Sequence, residues 1–219
     1  ETLWQQLTGN AIIGELVPET LNRLPAQIIS YREFKKAYPR ARVLSRDTGY
    51  NRRYGHNPYA GYDNVNKKPF LYDGESDPRV KPMQKLITAQ IKNTYQAYPY
   101  SVTRKARVIN HSVKDTPLVV FHAPGAVSAL DASRIAESRQ SGSTGLFNRR
   151  LDDKTLSFEY KDGQFIDTQT RSRWNITGRA TAGELKDSQL KPIPHGDYFA
   201  FAWLAFRPET RIYKPEKSD

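Results

Sequence analysis

The chain has 219 residues, a formal net charge of +11 and no cysteine. That length allows one domain or two small ones with a real core, and the missing thiols exclude disulfide staples, cysteine nucleophiles and cysteine-based metal sites among these residues. No apolar run approaches the roughly 18 residues of a membrane-spanning helix, and residues 1–14 lack the basic, apolar and small-residue regions of a signal peptide.

In chain order, residues 30–38 predict a helix with Tyr31, Phe34 and Tyr38 on one face, stopped at Pro39. Residues 45–82 are rich in Gly, Asn, Pro, Asp and Tyr without periodicity and read as a long ordered loop, the tyrosines arguing against disorder. Residues 86–91 and 94–98 flank Lys92-Asn93 as a hairpin, and 107–110 and 118–121 flank a turn around Lys114-Asp115. A third short helix is expected at 131–139. Residues 156–160 and 164–167 flank Asp162-Gly163, a strong hairpin signal, and 199–207, apolar nearly all round, predict a more deeply buried helix ending at Pro208. Strands outnumber helices, so the expected fold class is α+β, β-rich, with two pseudo-equivalent units and few short helices packed as one compact body.

The two units come from an internal repeat. At a fixed offset of 169, residues 8–44 align with 177–213 without a gap, and Thr8, Gly9, Ala11, Gly14, Glu15, Leu16, Leu21, Pro25, Pro39 and Arg42 are identical to their partners. Trp4 and Trp174 match after a one-residue shift. The expected organisation is a single domain over 1–219, with unit one at 1–44, a connecting loop at 45–82 and unit two at about 107–213. Gly14 and Gly183 are expected to supply a bulge or a positive φ, and Glu15 and Glu184 to accept backbone hydrogen bonds at a strand end. Residues 165–173 lead into Trp174 whereas only Glu1, Thr2 and Leu3 precede Trp4, so a segment ahead of Glu1 is expected to complete the first unit.

Charge marks the candidate site. Between residues 32 and 68, ten basic residues stand against three acidic ones, interleaved with Phe34, Tyr38, Tyr50, Tyr54, Tyr59 and Tyr62. Cations mixed with flat rings suit an anionic or sugar-like ligand or a protein partner; no nucleic-acid motif accompanies them, so specific nucleic-acid binding is not expected. The candidate ligand-binding residues are Arg53, Tyr54, His56, Asn57, Tyr59 and Tyr62, the competing reading being that this loop is a structural cover over the repeat interface. His56, His111, His122 and His195 show no helical metal spacing, and no metal site is expected; any cofactor is left open. The nucleophile-elbow, zinc-hydrolase and phosphate-loop signatures are absent, and Trp4, Trp174 and Trp203 are expected in the core.

Several motifs together resemble the bacterial domain-of-unknown-function family 3179: Thr170-Arg171-Ser172-Arg173-Trp174, Thr177-Gly178, Gly183-Glu184-Leu185, Phe201-Ala202-Trp203, Pro208-Glu209-Thr210, and 54–63 (Tyr-Gly-His-Asn-Pro-Tyr-Ala-Gly-Tyr-Asp). The resemblance implies an exported protein, periplasmic or extracellular, or lipid-anchored through its N-terminus. It implies no activity. Many relatives carry a Cys-Pro-Leu-Cys segment upstream of the first Trp motif, and the matching place in unit two is His122-Ala123-Pro124, without thiols. Two readings follow: a non-enzymatic binding or scaffold domain, or the remainder of a redox or metal-handling enzyme whose thiols lie upstream of Glu1.

Overall fold

The computed structural model describes residues 1–215. A short antiparallel pair, β1 (Thr2–Trp4) and β2 (Ala11–Gly14), opens the chain, and α1 (Tyr31–Ala37) follows. Ser30 starts α1 with a capping box: its hydroxyl accepts from Glu33 N at 3.2 Å while the Glu33 carboxylate accepts from Ser30 N at 3.0 Å. That satisfies two N–H groups which a helix start leaves free. No residue of α1 is buried, so its predicted aromatic face is not a core face. Residues 38–84 form neither helix nor strand, in keeping with a long loop.

The hairpin around Lys92-Asn93 joins β3 (Lys85–Ile91) to β4 (Thr94–Pro99), and α2 (Tyr100–Ala106) leaves directly from it. Next, β5 (Val108–Val113), β6 (Thr116–Ala123) and β7 (Ser143–Asn148) form an antiparallel sheet with β6 central. The helix expected at 131–139 is reduced to a 3-10 turn at Ile135–Glu137. Polar side chains take the backbone there instead, Asp131 accepting from Arg139 N and Ser138 Oγ from Ala132 N. A small hairpin, β8 (Arg150–Leu151) with β9 (Lys154–Thr155), precedes a four-stranded antiparallel meander of β10 (Phe158–Lys161), β11 (Gln164–Asp167), β12 (Arg173–Trp174) and β13 (Ala180–Ala182). β14 (His195–Phe199) then pairs with β3. After α3 (Ala200–Phe206), β15 (Arg211–Ile212) runs parallel to β4, giving the order β14-β3-β4-β15. The α+β, β-rich class holds, with strand far in excess of helix.

Strand β6 organises the core. Its odd-numbered Val119, Phe121 and Ala123 pack with Phe147, Phe158, Phe165, Trp174 and Leu190, while its even-numbered Leu118 and Val120 pack with Ile87, Tyr98, Ile109 and Leu146. Alternation sends successive side chains to opposite faces, so the meander covers one face of the central sheet and β3–β4 the other. On the far side of β3–β4, Ala200, Trp203 and Leu204 of α3 cover Leu86 and Ala97. The buried indole N–H groups are satisfied, Trp203 by Thr210 Oγ1 at 2.8 Å and Trp174 by Asp167 Oδ2 at 2.9 Å; Trp4 is only half-buried.

One local arrangement occurs twice. A bulge sits at Leu3/Trp4 between β1 and β2 and at Arg173/Trp174 between β12 and β13; the one-residue shift between the two tryptophans falls in the turn that follows, residues 5–10 in the first case and 175–179 in the second. The Thr2 hydroxyl accepts from Leu16 N and the Ser172 hydroxyl from Leu185 N, and Gly9 O and Gly178 O accept from Leu21 N and Leu190 N. Gly14 and Gly183 have φ of 112° and 95°. Glu15 and Glu184, by contrast, are exposed and make no hydrogen bond among the described residues; the Thr2 and Ser172 hydroxyls take the acceptor role expected of them. Cover separates the two halves: Leu190 is 0% exposed and its counterpart Leu21 56%.

A Cβ on Gly183 would stand 2.6 Å from Ser172 Cα, whereas Gly163, in the turn between β10 and β11, has open space around it. Both have positive φ. Gly183→Ala is therefore expected to cost about 3 kcal/mol in urea unfolding and Gly163→Ala about 1 kcal/mol; equal costs would contradict this packing.

Candidate functional site

The loop singled out by its Arg and Tyr residues divides in two. Asn57 is buried and wholly used by backbone: its Nδ2 donates to Ala132 O at 3.2 Å, its Oδ1 accepts from Tyr59 N at 2.8 Å, and its own N–H donates to Ser133 O at 2.7 Å. Tyr62 lies edge-on to Phe199 and to Tyr59, and its N–H reaches Leu130 O. Arg53, Tyr54, His56 and Tyr59 are exposed, the Tyr54 hydroxyl bonding to Thr48 at 2.6 Å. Residues 54–62 are thus fastened to residues 128–134, and none of the six candidates lines the cleft beside Asp63.

The cleft lies just behind that loop. Asp63 ends the Tyr-rich stretch and is buried; Ser128 Oγ and Arg139 bond its Oδ2, Arg139 at 2.8 Å, and Arg139 also reaches the Asp63 carbonyl at 3.0 Å. Arg139 pairs with Asp131 as well. Beside this staple, the start of β3, α2 and residues 139–141 enclose about 160 Å³ lined by Asp63, Lys85, Tyr100, Ser101, Arg104 and Arg139. Lys85 and Arg104 have no ion pair or side-chain hydrogen bond among the described residues. Burial pulls the Lys85 ammonium below the ordinary lysine value, against the opposing pull of the Asp63 and Asp197 carboxylates.

The floor of the cleft opens onto a buried polar chain. The Thr144 hydroxyl is 3.1 and 3.2 Å from the two Asp197 oxygens, and the Tyr100 hydroxyl is 3.5 Å from Thr144 Oγ1. Burial, then the charge of Asp197, drives the Tyr100 phenol far above its ordinary value, so it stays a neutral hydroxyl. Burial likewise raises Asp197 and lowers His195. His195 Nδ1 lies 2.6 Å from Ile193 O, which places its proton on Nδ1 and leaves Nε2 as an acceptor; Nε2 has no partner among the described residues.

His122 continues the cluster on the even face of β6. Its ring stands edge-on to Tyr100 at 5.3 Å and its Nδ1 meets Thr103 Oγ1 at 3.0 Å, while Nε2 has no partner among the described residues. Gly142 presses against it: a Cβ there would lie 2.1 Å from Nε2. Burial first, then Arg107, pushes His122 down to about 4. No group of three His, Asp or Glu side chains among the described residues is placed to hold a metal; the hydroxyls of Thr103 and Thr144 meet His122 and Asp197. What the arrangement offers is charge and hydrogen bonding at a fixed position.

Lys85, Tyr100, Arg104, Thr144 and Asp197 escape a sequence reading because their elements do. Gly196 and Asp197 break the apolar alternation of β14, Gly145 interrupts β7, and α2 is seven residues long. The one available signal was Lys85 immediately ahead of the recognised 86–91 strand.

With the geometry in place, comparison with known proteins is brief. The chain belongs to the family described as protein of unknown function (DUF3179), whose model matches residues 1–210. No curated protein and no solved structure matches it.

The buried neutral His122 gives stability a defined acid dependence. Its folded value lies near 4 against an ordinary 6.5, so the unfolded chain binds the extra proton between those limits and stability falls as pH drops through them, by about 3 kcal/mol in full. Urea unfolding at pH 7.5 and 4.5 is expected to show a clearly smaller pH-dependent loss in His122→Gln than in the unchanged protein; identical losses would contradict a buried neutral imidazole.

Proposed function

We propose that this chain is an exported, non-enzymatic binding domain, working in the periplasm or outside the cell, that holds a small anion in the cleft between β3, α2 and residues 139–141. Two related units, 1–44 and about 107–213, form its body, and the 45–82 connection serves as the outer wall of the cleft. One observation carries the reading: Lys85 and Arg104 line a single cleft without ion pairs among the described residues, in a chain of net charge +11. Unpaired cations beside neutral hydroxyl donors suit a carboxylate or phosphate group. They favour an anion over a sugar-like ligand. Arg53, Tyr54, His56 and Tyr59 then form an outer rim on which Arg53 is the cation that draws the anion in, and Asn57 and Tyr62 hold that rim in place. No helix among the described residues is long and apolar enough to cross a membrane.

Isothermal titration with inorganic pyrophosphate and with citrate tests this. Lys85→Met and Arg104→Gln are each expected to weaken binding about tenfold, the loss of one charge-assisted contact, while Tyr59→Ala leaves it within about twofold. Because the folded Lys85 value is depressed, affinity is expected to fall as pH rises, earlier than an ordinary lysine would require. Binding insensitive to both substitutions would sink the proposal.

A second reading rests on a different observation. Leu3, Ile12, Ile13, Leu16 and Leu21 are exposed in the first half, on the β1–β2 arrangement whose counterpart in the second half is covered by β5–β7 and β10–β11. A bare apolar face of this extent marks an interaction surface. It suits the alternative in which this chain is the remainder of a redox or metal-handling enzyme, its thiols carried upstream of Glu1 by a further sheet that covers this face. Intact mass and thiol titration of the protein from its natural source separate the two readings.

A further inference from the structure

A second cleft, of about 460 Å³, lies between residues 21–28 and β14 and shares no lining residue with the anion cleft. Its two walls come from equivalent positions of the repeat: at the offset of 169, Ala26 and Ile28 stand opposite their own counterparts, His195 and Asp197. At these two positions one wall is therefore aliphatic where the other is polar. Leu21, Leu24 and Ile28 are 56%, 81% and 59% exposed along it, an apolar rim that the fold leaves uncovered.

His195 supplies the polar end. The residue is more than nine-tenths buried and lines this cleft, its Nδ1–H is committed to Ile193 O at 2.6 Å, and its Nε2 lone pair has no partner among the described residues. A buried acceptor without a donor is costly, and a donor that reaches it gains what the fold forgoes. Charge narrows the choice of donor. Asp197 opposes an anion, and Arg23 on the facing wall, which donates to Leu7 O and lies over the Trp203 ring at 5.7 Å, opposes a cation.

We infer that this cleft binds an uncharged apolar molecule carrying a hydroxyl group, the hydroxyl donating to His195 Nε2 and the hydrocarbon body covering Leu21, Leu24 and Ile28. The contact is reversible binding, with no bond made or broken. It stands apart from the anion cleft, because none of its contacts uses Lys85 or Arg104.

Geraniol and geranyl methyl ether, alike in hydrocarbon but differing in the O–H donor, provide the test. Nitrogen-15 NMR of the imidazoles is expected to show the His195 Nε2 resonance moving saturably with geraniol, which binds about tenfold more tightly than the ether. His195→Phe is expected to bind both alike while keeping the circular dichroism of the unchanged protein; if that variant does not fold, the alcohol-to-ether ratio on the unchanged protein decides alone. Equal affinity for the two compounds, binding that leaves the His195 resonance still, or no binding of either would overturn the assignment.

Discussion

Burial of β6 on both faces is the constraint from which the rest of the structure follows. A strand covered on one side leaves alternate positions for polar residues, whereas β6 runs Pro-Leu-Val-Val-Phe-His-Ala with every one of these residues buried. Two separate layers are needed to cover it, the β10–β13 meander on the odd side and β3–β4 on the even side. Phe121 stacks on Phe165 at 4.2 Å to close the first contact. The second places His122, the polar residue of the run, against Tyr100 and Thr103 of α2. Site and core therefore share a strand.

From this follows the chemistry of the interior. Tyr100, Thr144, His195 and Asp197 come from three different elements, α2, β7 and β14, and each is held by a neighbour that is itself buried or half-buried. Burial pushes each titratable member toward its neutral form. Lys85 stands at the outer end, drawn down by burial and held up by two carboxylates, where an incoming anion would meet it. The connecting loop adds the last wall through Asp63, whose bonds to Ser128 and Arg139 fasten it to residues 128–139. Arg139 is itself half-exposed, so the pair is worth less than a fully buried one, and removing Arg139 would strand the buried Asp63 carboxylate at a cost of about 1–3 kcal/mol.

Legibility in the sequence followed local signals. Residues 30–38 carried a capping Ser30 and a stopping Pro39, and the hairpins at Lys92-Asn93 and Asp162-Gly163 carried turn residues between alternating strands, so both kinds of element stand within a residue or two of where the pattern places them. Residues 131–139 misled because their apparent helical pattern is outweighed by Asp131 and Ser138 binding the backbone. The Arg and Tyr loop drew attention by composition, yet composition does not say which way a side chain points: Asn57 turns inward to staple the loop, while Arg53 and Tyr59 face solvent. The cleft was illegible for a topological reason. Lys85, Arg104 and Arg139 are brought together by β3, α2 and a loop that approach one another only in the folded chain, and no spacing along the sequence records that approach.

The central claim is that the anion sits behind the connecting loop, against Lys85 and Arg104, and not on the loop's exposed aromatic face. Backbone amide shifts in a two-dimensional nitrogen–proton NMR spectrum, followed during titration with inorganic pyrophosphate, test it most directly. The account predicts saturable movement of Lys85, Ser101, Arg104, Gln140 and Ser141, with residues 50–60 nearly still. Movement confined to residues 50–60, or shifts that never saturate, would contradict it.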